Sequence, residues 1–151
     1  MIAELNEDFK DFIKLLCKYK VQFIIVGGYA VNYYGYLRAT GDIDFAILSN
    51  EEEINKLNDV LKEFTGIKID SDLKYGEVFQ IGRPPHRIDL LTSIDGISIH
   101  EAYTNSKVLE TVEGWDVRII TLEDLIKNKK ASGRDKDKVD VNRLQTKLTA
   151  T

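Results

Sequence analysis

The order of apolar patterns along the chain predicts a mixed α/β (α+β) domain: one mixed central sheet flanked by helices, with a helical pair at the C-terminal end. Three observations carry this reading. VQFIIV (21–26) is a short β-branched and aromatic run, the mark of a buried strand, and it stops at Gly27-Gly28. DIDFAIL (42–48) alternates acidic with large apolar residues at the period of a strand. Around these runs, segments of helical spacing alternate with further strand-like runs, the pattern of layered α and β elements.

Each element has its own local reason. Leu5, Phe9, Phe12, Ile13 and Leu16 recur at helical spacing, so an amphipathic helix covers 4–19. Tyr29–Tyr36 reads as a short helix after the glycines. Ser49 or Asn50 caps a helix across 51–64, whose first turn holds three glutamates where the helix dipole favours them. Glu77–Ile81 and Arg87–Thr92 form two more strands about the Gly82–Pro85 turn, and Ser98–Ser106 fits a short helix. VLETV and WDVRII flank Glu113-Gly114 as a hairpin. Thr121 caps TLEDLIKNKK, and after Ser132-Gly133 a last helix covers Arg134–Leu148.

Composition bounds the function. A chain of 151 residues fits one domain over 1–151, and 43% hydrophobic against 30% charged residues is the balance of a globular protein that buries its own core. The single cysteine, Cys17, excludes an internal disulfide framework and suits a reducing compartment. His86 and His100 lie apart, which argues against a histidine zinc site. No apolar stretch approaches the roughly 18 residues of a membrane span. The acidic, amphipathic MIAELNEDFKDF is not a signal peptide, so a cytoplasmic protein without a membrane partner is expected.

The net charge of -4 is unevenly spread. Between Lys127 and Lys147 eight Lys/Arg face three Asp, a local +5 that leaves -9 for the rest. That stretch admits two readings, a solvated helix face or a basic wall facing a polyanionic substrate.

The chemistry rests on a set of residues rather than one motif. Asp42 and Asp44 are two apart on a strand, so they share a face with Cα atoms roughly 7 Å apart, while Ile43 and Phe45 point into the core. Asp89 lies inside the apolar strand Arg87-Ile88-Asp89-Leu90-Leu91. Carboxylates at such positions are costly unless something cationic compensates, and hard divalent ions with oxygen ligands do so. Three carboxylates from two strands can hold two metals roughly 4 Å apart, the clamp used for in-line phosphoryl displacement. Gly27-Gly28, ending a strand and opening a helix, lets the backbone approach a phosphate.

The combination of an apolar strand, Gly-Gly, a short helix, D-x-D and a third acid on a later strand resembles the nucleotidyltransferase superfamily typified by DNA polymerase beta. Four blocks look like its small bacterial branch near the AbiEii-type abortive-infection nucleotidyltransferases: Val26–Val31, Gly35–Asp44, Arg87–Leu91 and Asn128–Arg134. They span nearly the whole chain in the right order. That branch often carries His where this chain has Tyr34.

The resemblance implies a nucleotidyltransferase fold and a metal-dependent enzyme that moves a nucleoside monophosphate from a nucleoside triphosphate such as ATP to an acceptor, releasing pyrophosphate. Asp42, Asp44 and Asp89 are then both the catalytic residues and the ligands of Mg2+ (or Mn2+). Gly27 and Gly28 cradle the β- and γ-phosphates. Arg38 and Thr40 touch the triphosphate, and Lys129 and Arg134 contact phosphate or acceptor. Lys129 also reads as one more exposed lysine, and Arg38 as the partner of a nearby carboxylate. The acceptor is a tRNA end, a protein side chain or a small molecule. The rival readings are a non-catalytic, antitoxin-like or regulatory nucleotide-binding partner from a toxin-antitoxin pair, and a nucleic-acid-binding module using the basic helices. The tyrosines 29, 33, 34 and 36 read as a nucleobase platform or as packing surface.

Overall fold

The structure, a computed structural model, describes residues 4–35, 40–66 and 78–149. Twelve elements follow one another within these residues: α1 (Glu7–Lys18), β1 (Phe23–Val26), α2 (Gly27–Tyr34), β2 (Asp42–Ile47), α3 (Glu51–Thr65), β3 (Val78–Ile81), β4 (Arg87–Leu91), α4 (Ile99–Asn105), β5 (Lys107–Val112), β6 (Trp115–Ile119), α5 (Leu122–Ser132) and α6 (Asp135–Thr149). The strands make one six-stranded mixed sheet in the order β3-β4-β2-β1-β6-β5. β1 runs antiparallel to β2 and parallel to β6, and β2 runs parallel to β4.

The helix starts are set by side chains that satisfy orphan backbone N–H groups. Asn6, Asn50, Ser98 and Thr121 each accept from the N–H three residues on. Asn50, not Ser49, caps α3, and 98–106 resolves as a helix of two turns. Three starts differ from expectation: α1 begins at Glu7, α6 at Asp135, and α2 at Gly27 itself, so the glycines form its first turn. Tyr36, Arg38 and Glu77 lie outside the described residues.

Alternation along β2 divides the sheet into two chemistries. Phe45 faces one way, against Phe12 of α1 at a tilt and Phe23 of β1 edge-on, and Phe12 meets Phe64 of α3 edge-on at 5.0 Å. Phe12, Phe23 and Phe45 are fully buried, and each contributes about 1.5–3 kcal/mol relative to exposure. Asp42 and Asp44 face the other way, toward α2, which packs in turn on α5 and α6. Among the described residues no helix is long and apolar enough to cross a membrane.

The α5–α6 pair is locked by a buried ionic hub. Lys129, 4% exposed, lies 3.2 Å from Asp137 and 3.5 Å from Asp140. Arg134 Nε and the Ser132 hydroxyl each donate to Asp137 at 2.7 Å. Gly133, in left-handed backbone at φ 65°, ends α5 so that the chain can reverse into α6. Lys129 is therefore not an exposed lysine: its ammonium is held inside the helical pair.

Burial works to raise the Asp137 carboxyl, but Arg134, Ser132 and Lys129 outweigh it and hold the group well below the usual carboxylate range. Such a group gives stability that is complete above the unfolded-state value of about 3.9 and is lost as pH falls toward the folded-state value. Asp137→Asn leaves Lys129 without its nearest counter-charge and should lower urea stability at pH 7 by about 3–5 kcal/mol. The urea midpoint of the wild type should drop on acidification below about pH 4, and that of the variant should drop less over the same window.

Candidate active site

The in-register parallel pairing of β2 with β4 creates the site. Asp44 stands opposite Asp89, and Asp42 opposite Arg87. Partners across a parallel ladder project to the same face, so three carboxylates and one guanidinium share one patch. Each of the three acids offers an oxygen within 4.8 Å of the others. The residues that sequence reasoning marked as metal ligands are thus brought together.

Gly27 lies directly over this patch because Val26 pairs with Asp44 across β1 and β2. Its φ is +67°, and a Cβ there would lie 1.9 Å from Asp44 Oδ2, so only glycine permits the close approach. Val26, the residue ahead of α2, provides no side-chain cap. The N–H groups of the first helical turn, carried by Gly27 and Gly28, therefore suit an anion, with the helix dipole behind them.

A pocket of about 700 Å³ opens over the triad. Gly27, Gly28 and Thr40 line it on one side, and Lys129, Arg134 and Lys136 on another. That volume falls within the usual range for small-molecule sites. Thr40 hydroxyl bonds to the Asp42 carbonyl oxygen at 3.0 Å and its Oδ1 at 3.2 Å, which fixes the entry to β2. Arg134 is 60% exposed at its side chain although it pairs with Asp137, whereas Lys129 forms the buried floor of the same wall. Asn128, the first residue of the last motif block, also lines the pocket, as do Gln80, Ser93 and Asp95, which carried no sequence signal of their own.

Arg87 is the functional candidate that sequence reasoning passed over. Its Nη2 lies 2.6 Å from Asp42 Oδ2 and 3.2 Å from Asp89 Oδ2, and its Nε lies 3.0 Å from Asp89 Oδ1. The signal was present: two residues before Asp89 on a strand is the same face.

These neighbours set the proton affinities. Burial pushes Asp44 up to about 7, and the Asp42 and Asp89 carboxyls add to the rise. Burial also raises Asp89, reinforced by its hydrogen bond with Asp42. Asp42 moves the other way: its hydrogen bonds with Asp89 and Arg87 overcome burial and lower it. A buried cluster that resists full ionisation, with oxygen donors only, fits a hard divalent cation.

Tyr29, Tyr33 and Tyr34 follow their packing reading. The Tyr34 hydroxyl donates to the Ile120 carbonyl at 2.6 Å, Tyr29 meets Phe9 edge-on at 5.7 Å, and Tyr33 lies beside Lys107. None of these three lines the pocket. His86 is an exposed loop residue 3.2 Å from Asp8.

The family model described as "Nucleotidyl transferase of unknown function (DUF2204)" matches residues 5–151. No curated protein matches the chain. Among solved structures, the solution structure of the antibiotic-resistance factor ANT(2'')-Ia is similar at 20% identity and a TM-score of 0.64, covering 93% of this chain and 82% of that one. The crystal structure of ANT(2'')-Ia in complex with adenylyl-2''-tobramycin gives 19% identity and a TM-score of 0.56, covering 91% and 86%. A nucleotidyltransferase candidate from Thermotoga maritima gives 12% and 0.54, covering 94% and 90%. At these identities the structural matches establish the fold.

Two outcomes follow from the geometry. A carboxyl raised in the folded state stabilises in its protonated form, fully below about 3.9 and lost as pH rises through the folded-state value. Metal-free protein should therefore lose stability on the order of a few kcal/mol between about pH 4 and pH 8, and Asp44→Asn should flatten that decline in thermal melts with chelator present. Gly27→Ala forces a left-handed alanine, at a cost of roughly 1–2 kcal/mol, and displaces the Asp44 carboxylate. A Gly27→Ala protein as stable as wild type, with unchanged metal response, would contradict this account of the close approach.

Proposed function

The chain belongs to the nucleotidyl transferase family described as DUF2204, and from that premise we propose that it transfers a nucleoside monophosphate from a nucleoside triphosphate to an acceptor hydroxyl or phosphate, releasing pyrophosphate. The observation that carries this reading is the convergence of Asp42, Asp44 and Asp89 under the Gly27 turn. An adenylylated product in the similar ANT(2'')-Ia structure supports a nucleotidyl group as the cargo and ATP as one donor. The chain acts in this proposal as one domain over 1–151, in the cytoplasm where triphosphates are made. The four motif blocks support a place in the AbiEii-type branch.

The residues divide the work. Asp42, Asp44 and Asp89 hold divalent metal, Mg2+ or Mn2+, which supplies Lewis-acid stabilisation of charge on the phosphates when bound. The N–H groups of Gly27 and Gly28 bind the β- and γ-phosphates at the start of α2. Arg134 reaches the triphosphate or the acceptor from the α5–α6 wall, and Lys129 adds its charge from beneath. Thr40 orients Asp42, and Arg38, in the same motif block, contacts phosphate. The acceptor oxygen attacks the α-phosphorus in line. Its bond to phosphorus forms as the bond to the bridging oxygen of the β-phosphate breaks, and Asp89 takes the hydroxyl proton. Most of the rate comes from positioning and electrostatic preorganisation.

A tRNA end, a protein side chain and a small molecule each offer a suitable hydroxyl. Incubation with α-labelled triphosphates, Mg2+ or Mn2+ and a cell lysate should label the acceptor. Asp89→Ala leaves Asp42 and Asp44 to hold metal with the triphosphate, so calorimetric binding should fall far less than labelled-pyrophosphate release, which should drop at least about a hundredfold with the proton acceptor gone. A wild-type protein that binds triphosphate but releases no pyrophosphate with any acceptor pool would favour the regulatory, antitoxin-like partner. Absence of triphosphate binding with either metal would overturn both.

A further inference from the structure

The three carboxylates are not served equally. Both oxygens of Asp89 and one of Asp42 accept from the Arg87 guanidinium, and the other Asp42 oxygen accepts from the Thr40 hydroxyl. Among the described residues no ion pair involves Asp44, although it is the acid directly beneath the Gly27 turn. Two of the three acids that a divalent ion needs are therefore already engaged by a cation of the chain's own.

A divalent ion and a guanidinium repel one another at such range, and each requires the lone pairs that the other uses. Withdrawal of Arg87 gives up its charge-assisted hydrogen bonds to two carboxylates, and another anion within reach would replace them. The pocket supplies a place for one. Arg87 lines the same cavity as Gly27, Gly28 and Arg134, where the triphosphate is proposed to lie.

We propose that Arg87 is a positioning residue that holds Asp42 and Asp89 in register in the metal-free site, and that it releases them to metal only when a triphosphate arrives to receive its guanidinium. Arg87 thereby couples metal loading to nucleotide loading, and the coupling is reciprocal: each ligand raises the affinity for the other by the same factor. The free protein binds divalent metal poorly despite its three clustered acids. The inference rests on the nucleotidyl transfer reading of the same site.

The test measures Mn2+ binding to the full chain by the loss of its free-ion paramagnetic resonance signal. It is done alone and with a triphosphate analogue carrying a non-cleavable methylene link between the α- and β-phosphorus, and the Mn2+ that the analogue takes up without protein is subtracted. Wild type should bind Mn2+ at least about tenfold more tightly with the analogue than without it. Arg87→Gln should bind Mn2+ alone about tenfold more tightly than wild type and gain correspondingly less from the analogue, since the resident cation is gone. Arg87→Lys, a cation without the planar fork of donors that reaches Asp42 and both Asp89 oxygens at once, should fall between. Lys136→Gln removes the same charge from the pocket lining without touching the triad, so its Mn2+ affinity without nucleotide should stay within about twofold of wild type.

Arg87→Gln binding Mn2+ alone no more tightly than wild type overturns the role of Arg87. So does Lys136→Gln tightening it equally, which would reduce the effect to general charge. Should Arg87→Gln fail to fold, Arg87→Lys decides by the same comparison. A wild type that gains no Mn2+ affinity from the analogue overturns the nucleotidyl transfer reading itself, a result separate from any difference among the variants.

Discussion

Mutual repulsion among Asp42, Asp44 and Asp89 is the constraint on which the rest of this structure turns. Three carboxylates within 4.8 Å, half-buried or buried on one face of a sheet, oppose folding unless cations or protons offset them. The protein uses both devices. Arg87 neutralises Asp42 and Asp89 from within the same ladder, while Asp44 is raised to about 7 by burial and by the other two acids. Local stability is given up in this way where a ligand is later to bind, which is how strained functional sites persist in otherwise consistent folds.

The surrounding architecture serves this patch. The other face of β2 is filled by Phe45 against Phe12 and Phe23, an apolar layer that anchors the strand while its acids face the pocket. Gly27 brings the α2 N-terminus onto Asp44, adding a partial positive charge that is complementary both to the acids and to an incoming phosphate. Helices α5 and α6 stand alongside, fastened to each other by the Lys129–Asp137–Asp140 hub.

That hub also sorts charge. Of the eight cations and three carboxylates between Lys127 and Lys147, Lys129, Asp137 and Asp140 are buried. The exposed remainder is seven cations against Asp135 alone. The stretch divides between places: Arg134 and Lys136 border the pocket with Lys129 behind them, and the others form a solvated helix surface. A tally of charges along the chain averages over this division.

Local pattern was enough to specify the elements. Helical spacing of Phe9, Phe12, Ile13 and Leu16, the cap at Thr121, and the alternation of Asp42 and Asp44 with Ile43 and Phe45 all act within a turn or a strand, so the sequence by itself determined them. Gly27-Gly28 was legible for the same reason, since a strand ending in glycines before a helix is a local signal. Tertiary structure alone decided which acids meet. The Asp44–Asp89 register and the Arg87 bridge to Asp42 join residues 45 apart in the chain, and no periodicity within one strand fixes its pairing with another. It likewise decided that Lys129 lies inside and Arg134 outside, because burial depends on the partner helix and not on the residue type.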